Sequence, residues 1–391
     1  MAHTAYLLAC AGMNFYAGYT PDITRRVLLH ETGRGAKYTR AHRPVRLVYT
    51  EEYATKSEAM RREAALKRLT HAQKAALAAP ALAAWEYLAQ RPACVDMQEA
   101  LRWGKAGVVA AEKSGVLLRV QGGGLLLAAG TRAAAARLLH RAGPPAPGAM
   151  LGVHGRAAAL AAAEMMGQPL PPACTQAVYW GAQPPPWQAK GVRFAALGPE
   201  WAELVCAHNA LLSRDEMAAR LAAGVFTGAF LPGPQGWQLA GFIGQHPGGS
   251  MGMLAVLPQF RRMGLGAALE AHAIARLLRQ GRVPFCYISA GNRASLALQK
   301  KLGLCLRRDL YWLGGAQCPC RGAALPEGRK DGILLQKEKD ARGRRHSLRP
   351  DGLPAAALRL CRSAKWLQPL DRHLGAACQR HAGALCKKEE I

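Results

Sequence analysis

The sequence has no Cys-x-x-Cys pair, and its 11 cysteines are scattered, mostly singly, along 391 residues. This spacing suggests neither a zinc ribbon nor a disulfide scaffold, and it fits a reducing cytoplasm best. Long apolar runs are missing too, because no stretch reaches the roughly 18 to 20 apolar residues that a membrane span needs. We therefore expect a cytoplasmic protein without a membrane partner.

Acidic residues are scarce: 25 Asp and Glu stand against 52 Lys and Arg, a formal net charge of +27. This excess favours polyanionic partners such as nucleic acid or phosphorylated cofactors, but charge alone does not choose among them. The apolar fraction of 50% is enough for globular cores. A chain of this length is too long for one ordinary core, so roughly two to three domains are expected.

Residues 1–85 are predicted to fold as a small α/β unit. Apolar strands flank the turn Gly12-Met13-Asn14, Thr20-Pro21-Asp22 can open a helix, and two capping boxes start later helices. The predicted order is two strands, a helix ending at Gly33, a strand and two helices: Ala5–Cys10, Phe15–Tyr19, Thr20–Gly33, Val45–Tyr49, Thr55–Leu69 and a helix from Thr70 onward.

Five side chains in this unit form a first candidate site. Tyr6 and Tyr16 lie ten positions apart on the two hairpin strands, and Arg26 and His30 lie four apart on one helix face. Glu63 points to the apolar side of a later helix, where a carboxylate is costly unless it is paired or binds a cation. A phenol, a guanidinium and a carboxylate for a hard divalent ion are the groups that phosphodiester hydrolysis needs.

At these positions the segment from about Ala5 to Leu77 resembles the GIY-YIG nuclease family, in particular its short single-domain bacterial members. The second motif is present as Tyr16-Ala17-Gly18, whereas the first is Thr4-Ala5-Tyr6, which keeps the tyrosine but lacks Gly and Ile. The resemblance implies nucleic acid as the substrate and favours DNA. It also implies a role for each site residue: Tyr6 as general base or water-orienting phenol, Arg26 as transition-state stabiliser, Glu63 as sole protein ligand of Mg²⁺ or Mn²⁺, and Tyr16 and His30 in support.

A structural interpretation of the same residues stays open at this point. Tyr6 and Tyr16 could be strand aromatics that pack a small core, and Arg26 could pair with Glu63 as a buried salt bridge. The two interpretations differ in the partner that they give to Arg26.

A second constellation follows an apolar strand at Ser250–Leu257, which Pro258 stops. The next residues form a glycine-bearing turn, Arg261-Arg262-Met263-Gly264-Leu265-Gly266-Ala267, and then an amphipathic helix. A strand, a glycine turn and a helix start place backbone N–H groups around an anion at the positive end of the helix dipole. Another strand, Val283–Ser289, leads to Asn292-x-x-Ser295 and a further helix.

This pattern resembles the GNAT acyltransferase superfamily over about 226–313, and residues 95–190 look like the divergent first half of its two-fold members. The resemblance implies acetyl-CoA as cofactor and an amine, whose identity is unknown, as acceptor. The implied cofactor contacts are Leu257, Arg261, Arg262, Met263, Gly264, Leu265, Gly266, Ala267, Asn292 and Ser295. The first half has no phosphate loop and is not expected to bind cofactor.

The acid and base usual in this superfamily are absent. Gln299 stands where many members carry a tyrosine acid, and Ala255 stands where a carboxylate often lies. Tyr287, His246 and Glu270 are the remaining candidates. Cofactor binding is therefore better supported than transfer.

The fold prediction is α/β (α+β), with a small three-stranded sheet and helices followed by a two-fold mixed sheet with flanking helices. The predicted domains are 1–85, 92–190 and 191–313, with a basic tail of low order at 314–391. The leading functional hypothesis is a bifunctional nuclease and N-acetyltransferase. The alternative is a nucleic-acid-binding protein whose degenerate GNAT half binds acetyl-CoA without transferring it; the oligomeric state is not indicated.

Overall fold

The computed structural model describes residues 2–143, 148–187, 189–208, 212–234 and 236–314. The predicted basic tail, apart from Gly314, lies outside these residues. The described chain is a mixed α/β structure with a three-stranded sheet and an 11-stranded sheet. The predicted fold class is confirmed, and the limits of the three predicted domains stay a prediction.

The first unit is a three-stranded antiparallel sheet of order β2-β1-β3 with four helices. Its central strand has a buried face on each side: Ala5, Leu7 and Ala9 pack in one core cluster and Tyr6, Leu8 and Cys10 in the other. The elements are β1 His3–Cys10, β2 Phe15–Thr20, α1 Ile23–Glu31, α2 Lys37–Ala41, β3 Val45–Tyr53, α3 Lys56–Arg68 and α4 His71–Ala89.

The predicted helix starts of this unit are explained by their caps. The Asp22 side chain accepts the backbone N–H of Arg25 and begins α1. Thr55 and Thr70 both form complete capping boxes, with Glu58 and Gln73, at the starts of α3 and α4. The two capping boxes confirm the sequence prediction, whereas α1 was expected to begin at Thr20 and instead begins at Ile23 with Asp22 as its cap.

Helix α5, Val95–Arg102, was not predicted and follows α4 after a short turn. All eight of its residues are buried, including Asp96, Gln98, Glu99 and Arg102. Four of its eight residues are polar or charged, types that are seldom fully buried, so its sequence did not indicate an interior helix.

The large sheet has the strand order β4-β5-β6-β7-β14-β8-β13-β12-β11-β10-β9. The last strand, β14, lies between β7 and β8, so strands from the two predicted halves share one sheet. Its strands are β4 Ala106–Glu112, β5 Gly115–Val120, β6 Leu125–Ala129, β7 Leu151–His154, β8 Cys174–Val178, β9 Arg193–Ala196, β10 Thr227–Gly233, β11 Gly236–Gln245, β12 Met251–Val256, β13 Phe285–Ile288 and β14 Cys305–Leu313. Its helices are α6 Arg132–Ala142, α7 Arg156–Met165, α8 Ala202–Ala207, α9 Arg214–Ala222, α10 Leu265–Arg279 and α11 Arg293–Lys301.

The parallel strands β12 and β13 meet at one residue pair only, Met251 with Cys286. Beyond this pair the strands separate, and residues 252–256 of β12 are only partly buried. The separation opens a cleft in the sheet that leads to the N-terminus of α10.

Within the described ranges, no helix has both the length and the apolar character that crossing a bilayer requires.

Candidate functional sites

Strand β1 and helix α1 bring Tyr6, Arg26 and His30 together. Arg26 Nε donates to the Tyr6 hydroxyl oxygen at 3.0 Å, and that hydroxyl lies 3.0 Å from His30 Nε2. His30 Nδ1 lies 2.7 Å from the Thr39 hydroxyl. Tyr6, His30 and Thr39 are each fully buried.

Thr39, the last residue in this series of hydrogen bonds, determines which group donates and which accepts in each of them. The Thr39 hydroxyl donates to the Ala36 carbonyl at 3.0 Å, so toward His30 it can only accept. His30 Nδ1 therefore carries the ring proton, and its Nε2 presents a lone pair to Tyr6. The Tyr6 O–H donates to His30 while its oxygen accepts from Arg26.

Burial determines the protonation states of Tyr6 and His30. It raises the pKa of the Tyr6 hydroxyl to about 12, although the hydrogen bond from Arg26 acts in the opposite direction. Burial and the charge of Arg26 lower the pKa of His30 to about 4. At neutral pH Tyr6 is therefore a neutral phenol, and His30 is a neutral imidazole that accepts its hydrogen bond.

Burial of Arg26 acts to lower its pKa, but the hydroxyls of Tyr6 and Tyr16 outweigh burial and raise the pKa. Tyr16 thus supports the guanidinium, and its ring packs 5.2 Å from that of His30. The five predicted residues divide into four that adjoin each other here and Glu63, which lies on α3.

Gly18 in the second motif makes room for Tyr6. A Cβ at this position would lie 2.5 Å from the Tyr6 hydroxyl oxygen and 2.6 Å from its ring carbon Cζ. Gly18 faces Tyr6 directly across the β1–β2 pair. Only glycine lets the phenol cross the neighbouring strand and reach Arg26 and His30.

Glu63 does not pair with Arg26; its Oε1 lies 2.9 Å from Lys67 Nζ, one helical turn further along α3. The salt-bridge interpretation of Arg26 and Glu63 is therefore wrong. The Glu63 side chain is 17% exposed, and its negative charge slightly raises the pKa of Tyr6.

Among the described residues no group of three or more His, Cys, Asp or Glu could hold a metal ion. A single partly exposed carboxylate nevertheless fits Mg²⁺, which commonly binds one or two carboxylates and keeps several waters.

A surface depression of about 200 Å³ adjoins this cluster. Tyr16 and Tyr38 are stacked in it with ring centres 6.4 Å apart, and Tyr38 is 40% exposed. Lys67 and Lys74 add two positive charges. The full lining is Phe15, Ala17, Tyr16, Tyr38, Lys67 and Lys74. No sequence signal indicates a role for Tyr38 or Lys67, because the packing of α2 and α3 alone brings these two residues close to Tyr16.

The second site is the turn between β12 and α10. Gly264 has φ +78° and caps α10, and Arg262 also has positive φ at +68°. These left-handed residues turn the chain sharply, so that α10 begins beside the cleft between β12 and β13. Arg261 Nε bonds the Val256 carbonyl at 3.3 Å, and Met263 is 55% exposed.

Space for a ligand lies in front of the helix start. A Cβ at Gly264 would meet nothing within 4 Å, and one at Gly266 would meet only side chains at 3.9 and 4.0 Å. Leu265 and Ala267 face the core instead, and Leu257 is buried beside the cleft. The first backbone N–H groups of the 15-residue helix α10 point into this space.

Asn292 caps α11, because its side chain accepts the backbone N–H of Ser295 at 3.0 Å. Ser295 lies in the first turn of this helix. Asn292 therefore sets where α11 begins beside the cleft.

The N-terminal unit matches the family model of the GIY-YIG catalytic domain over residues 2–76. A UPF0213 protein of Halobacterium salinarum is 52% identical over 75 residues, which make up 19% of this chain and 97% of that relative. The chain belongs to the GIY-YIG family. A UPF0213 protein of Staphylococcus epidermidis is 49% identical over 72 residues, covering 18% of this chain and 88% of the relative.

The second unit matches the family model of FR47-like proteins over residues 229–313. The predicted GNAT-like acetyltransferase domain is thereby confirmed beside the GIY-YIG domain. A GCN5-related N-acetyltransferase from Kribbella flavida aligns at 16% identity and a TM-score of 0.40, covering 59% of this chain and 96% of that one. A tandem GNAT protein from the clavulanic acid pathway aligns at 18% identity and a TM-score of 0.36, covering 59% and 93%.

In the GNAT-like domain, two side chains considered as possible acids, Gln299 and Tyr287, are hydrogen-bonded to buried carboxyl groups. Gln299 donates to Glu270 at 2.7 Å in the interior, where burial raises the pKa of Glu270 to about 7. The Tyr287 hydroxyl donates to buried Asp96 at 2.9 Å, and burial raises its pKa well above the usual value. Burial also lowers the pKa of His246 to about 4. Neither Gln299 nor Tyr287 is thus presented as a ready acid.

Proposed function

We propose that the chain is a bifunctional enzyme: a metal-dependent DNA endonuclease in its GIY-YIG domain, and an acetyl-CoA-dependent N-acetyltransferase in its GNAT-like domain. The observation that carries the nuclease assignment is the buried chain of hydrogen bonds from Arg26 through Tyr6 to neutral His30. It joins a phenol to a proton acceptor and to a fixed positive charge.

In the proposed hydrolysis the Tyr6 hydroxyl, held by Arg26 and His30, orients the attacking water, which loses its proton to solvent as it attacks. The water oxygen forms the new bond to phosphorus, and the leaving oxygen departs with the bonding electrons. Arg26, held beside the Tyr6 oxygen, stabilises the negative charge that develops on the phosphate. Glu63 would hold Mg²⁺ or Mn²⁺, which when bound supplies Lewis-acid stabilisation of the phosphate.

The depression beside the cluster supports a nucleic-acid substrate. Lys67 and Lys74 can contact phosphates. One side of the Tyr38 ring already stacks on His42 at 4.2 Å, so we propose that a base enters between the Tyr16 and Tyr38 rings, whose centres lie 6.4 Å apart. Because bases are accessible for stacking only when unpaired, we propose single-stranded or branched DNA as substrate.

The test is incubation of end-labelled single-stranded, branched and duplex DNA with the protein in Mg²⁺, in Mn²⁺ and in EDTA. Cleavage is expected with either cation and not in EDTA, and binding should weaken steeply with salt because its phosphate contacts are ionic. Cleavage that persists in EDTA would contradict the proposal. A flat salt response would argue against the lysines as the DNA contacts.

For the GNAT-like domain, we propose that the pyrophosphate of acetyl-CoA lies at the start of α10. The open space at Gly264 and Gly266 and the N–H groups of the helix start suit an anion. The separated edges of β12 and β13 leave backbone groups that can bond the amide groups of the pantetheine arm.

The pairing of Gln299 with Glu270 favours a second candidate function, in which the domain binds acetyl-CoA without transferring the acetyl group. The usual acid would protonate the leaving thiolate, and a buried amide that donates to a carboxyl cannot replace it. The GNAT-like domain would then sense the cofactor.

Release of free thiol from acetyl-CoA across a panel of amines separates the two functions. A transferase is expected to release thiol faster with at least one amine than without any. Binding of acetyl-CoA without amine-stimulated release would support the sensor and overturn the transferase.

A further inference from the structure

Four polar side chains of helix α5 are buried. Asp96 and Glu99 are each 1% exposed, Gln98 is 0% and Arg102 is 8%. Buried charges persist only when they are paired and hydrogen-bonded. The partners of these side chains therefore show what α5 holds in place.

The C-terminal end of α5 holds the GIY-YIG domain. Arg102 donates to both carboxylate oxygens of Glu31, at 2.7 and 2.9 Å, and Glu31 directly follows His30 in α1. The Thr24 hydroxyl, in the first turn of α1, donates to the Trp103 carbonyl at 3.1 Å. Trp103 is 1% exposed and packs in the same core cluster as Tyr6. The back wall of the nuclease site is thus built by residues beyond the family match at 2–76.

A second group of partners of α5 lies on and beside β13, one wall of the cofactor cleft, while Asp96 also lies 2.9 Å from His154 Nε2 at the end of β7. Glu99 accepts the backbone N–H of Val283 at 3.2 Å, and Arg102 donates to the Gly281 carbonyl at 3.0 Å. Asp96 accepts the Tyr287 hydroxyl at 2.9 Å. The same short helix therefore bonds the strand beside the cofactor and the helix that carries Arg26 and His30.

We propose that Arg102 is a positioning residue for the nuclease site, and that through α5 acetyl-CoA and DNA each tighten the binding of the other. This inference rests on the proposed function of both domains. Because α5 bonds β13 and α1 at once, a cofactor that restrains β13 also restrains α1, and the second ligand then loses less conformational entropy when it binds. Because the coupling is thermodynamic, DNA raises the affinity for acetyl-CoA by the same factor.

The experiment measures the Kd of acetyl-CoA by calorimetry on the full chain, with and without a saturating single-stranded oligonucleotide, in EDTA. We expect the oligonucleotide to lower the Kd at least about fivefold, the lower end of usual allosteric coupling, and acetyl-CoA to lower the Kd of the oligonucleotide equally. R102M is expected to bring both factors to one. Arg132→Met is the matched control, since Arg132 bonds Glu164 at 2.6 Å on the surface, and it should keep both factors.

R102K serves as a second variant because lysine keeps the charge but lacks the forked donors that reach Glu31 and Gly281 together. It is expected to reduce the coupling while each ligand still binds alone. A parent protein that binds both ligands without mutual effect would overturn the inference and leave the proposed function standing. Coupling that persists in both Arg102 variants would overturn the role of α5. A parent that binds neither ligand would overturn the proposed function and this inference with it.

Discussion

Glu63→Ala abolishes cation-dependent DNA cleavage while leaving the fold intact; this is the expected result with the largest effect on the nuclease. A loss of about a hundred- to thousandfold is expected, as when one group that stabilises transition-state charge is removed. The carboxylate lies near Tyr6 but bonds Lys67, a mostly exposed partner. Such exposed i,i+4 pairs contribute only about 0.3 to 0.5 kcal/mol to stability, so the melting temperature should hardly change.

The control is Glu86→Ala, which removes an exposed glutamate from helix α4 of the same domain. It should cleave like the parent in gel assays with Mg²⁺. If Glu63→Ala also cleaves like the parent, a contaminant or another site is responsible and the assignment of Glu63 is wrong. Tryptophan fluorescence and circular dichroism of both variants show whether the fold is kept.

Gly266→Val is expected to remove the thermal stabilisation that acetyl-CoA gives the parent. Acetyl-CoA at about a hundredfold over its Kd should stabilise the folded state by about 2.7 kcal/mol, a melting shift of a few degrees. A Cβ at Gly266 meets side chains only at 3.9 and 4.0 Å, so valine fits the apoprotein and projects into the space proposed for the pyrophosphate. The readout is the melting temperature with and without acetyl-CoA.

Gly264 needs its own control because its φ of +78° would strain valine whatever the ligand does. Gly303, in the turn after α11, has the same φ of +78° and equally open surroundings. Gly303→Val therefore introduces the same backbone strain away from the proposed cofactor site. Gly264→Val should lose the ligand shift, whereas Gly303→Val should keep it. Arg261→Ala should weaken the shift more mildly. A parent protein with no shift at millimolar acetyl-CoA would contradict cofactor binding.

Local sequence signals predicted the elements that carry both sites. The hairpin of β1 and β2 and the capping boxes at Thr55 and Thr70 depend on neighbours within a few residues, and the structure has them at those places. The glycine turn before α10 was found for the same reason. Helix α5 and strand β8 were missed because both are short: eight and five residues are too few to establish a period.

The sequence by itself determined which chemical groups the two domains carry, since a tyrosine pair, an arginine, a glutamate and a glycine turn at family spacing are local facts. Only the tertiary structure decided how those groups are partnered. Arg26 bonds Tyr6 rather than Glu63, and Gln299 is turned inward to Glu270. It also decided that Arg102 joins α1 to the turn before β13, where it bonds the Gly281 carbonyl 179 positions further along the sequence. Such partners are selected by burial, because a charged group removed from water must bond whichever complementary group the packed fold brings within reach.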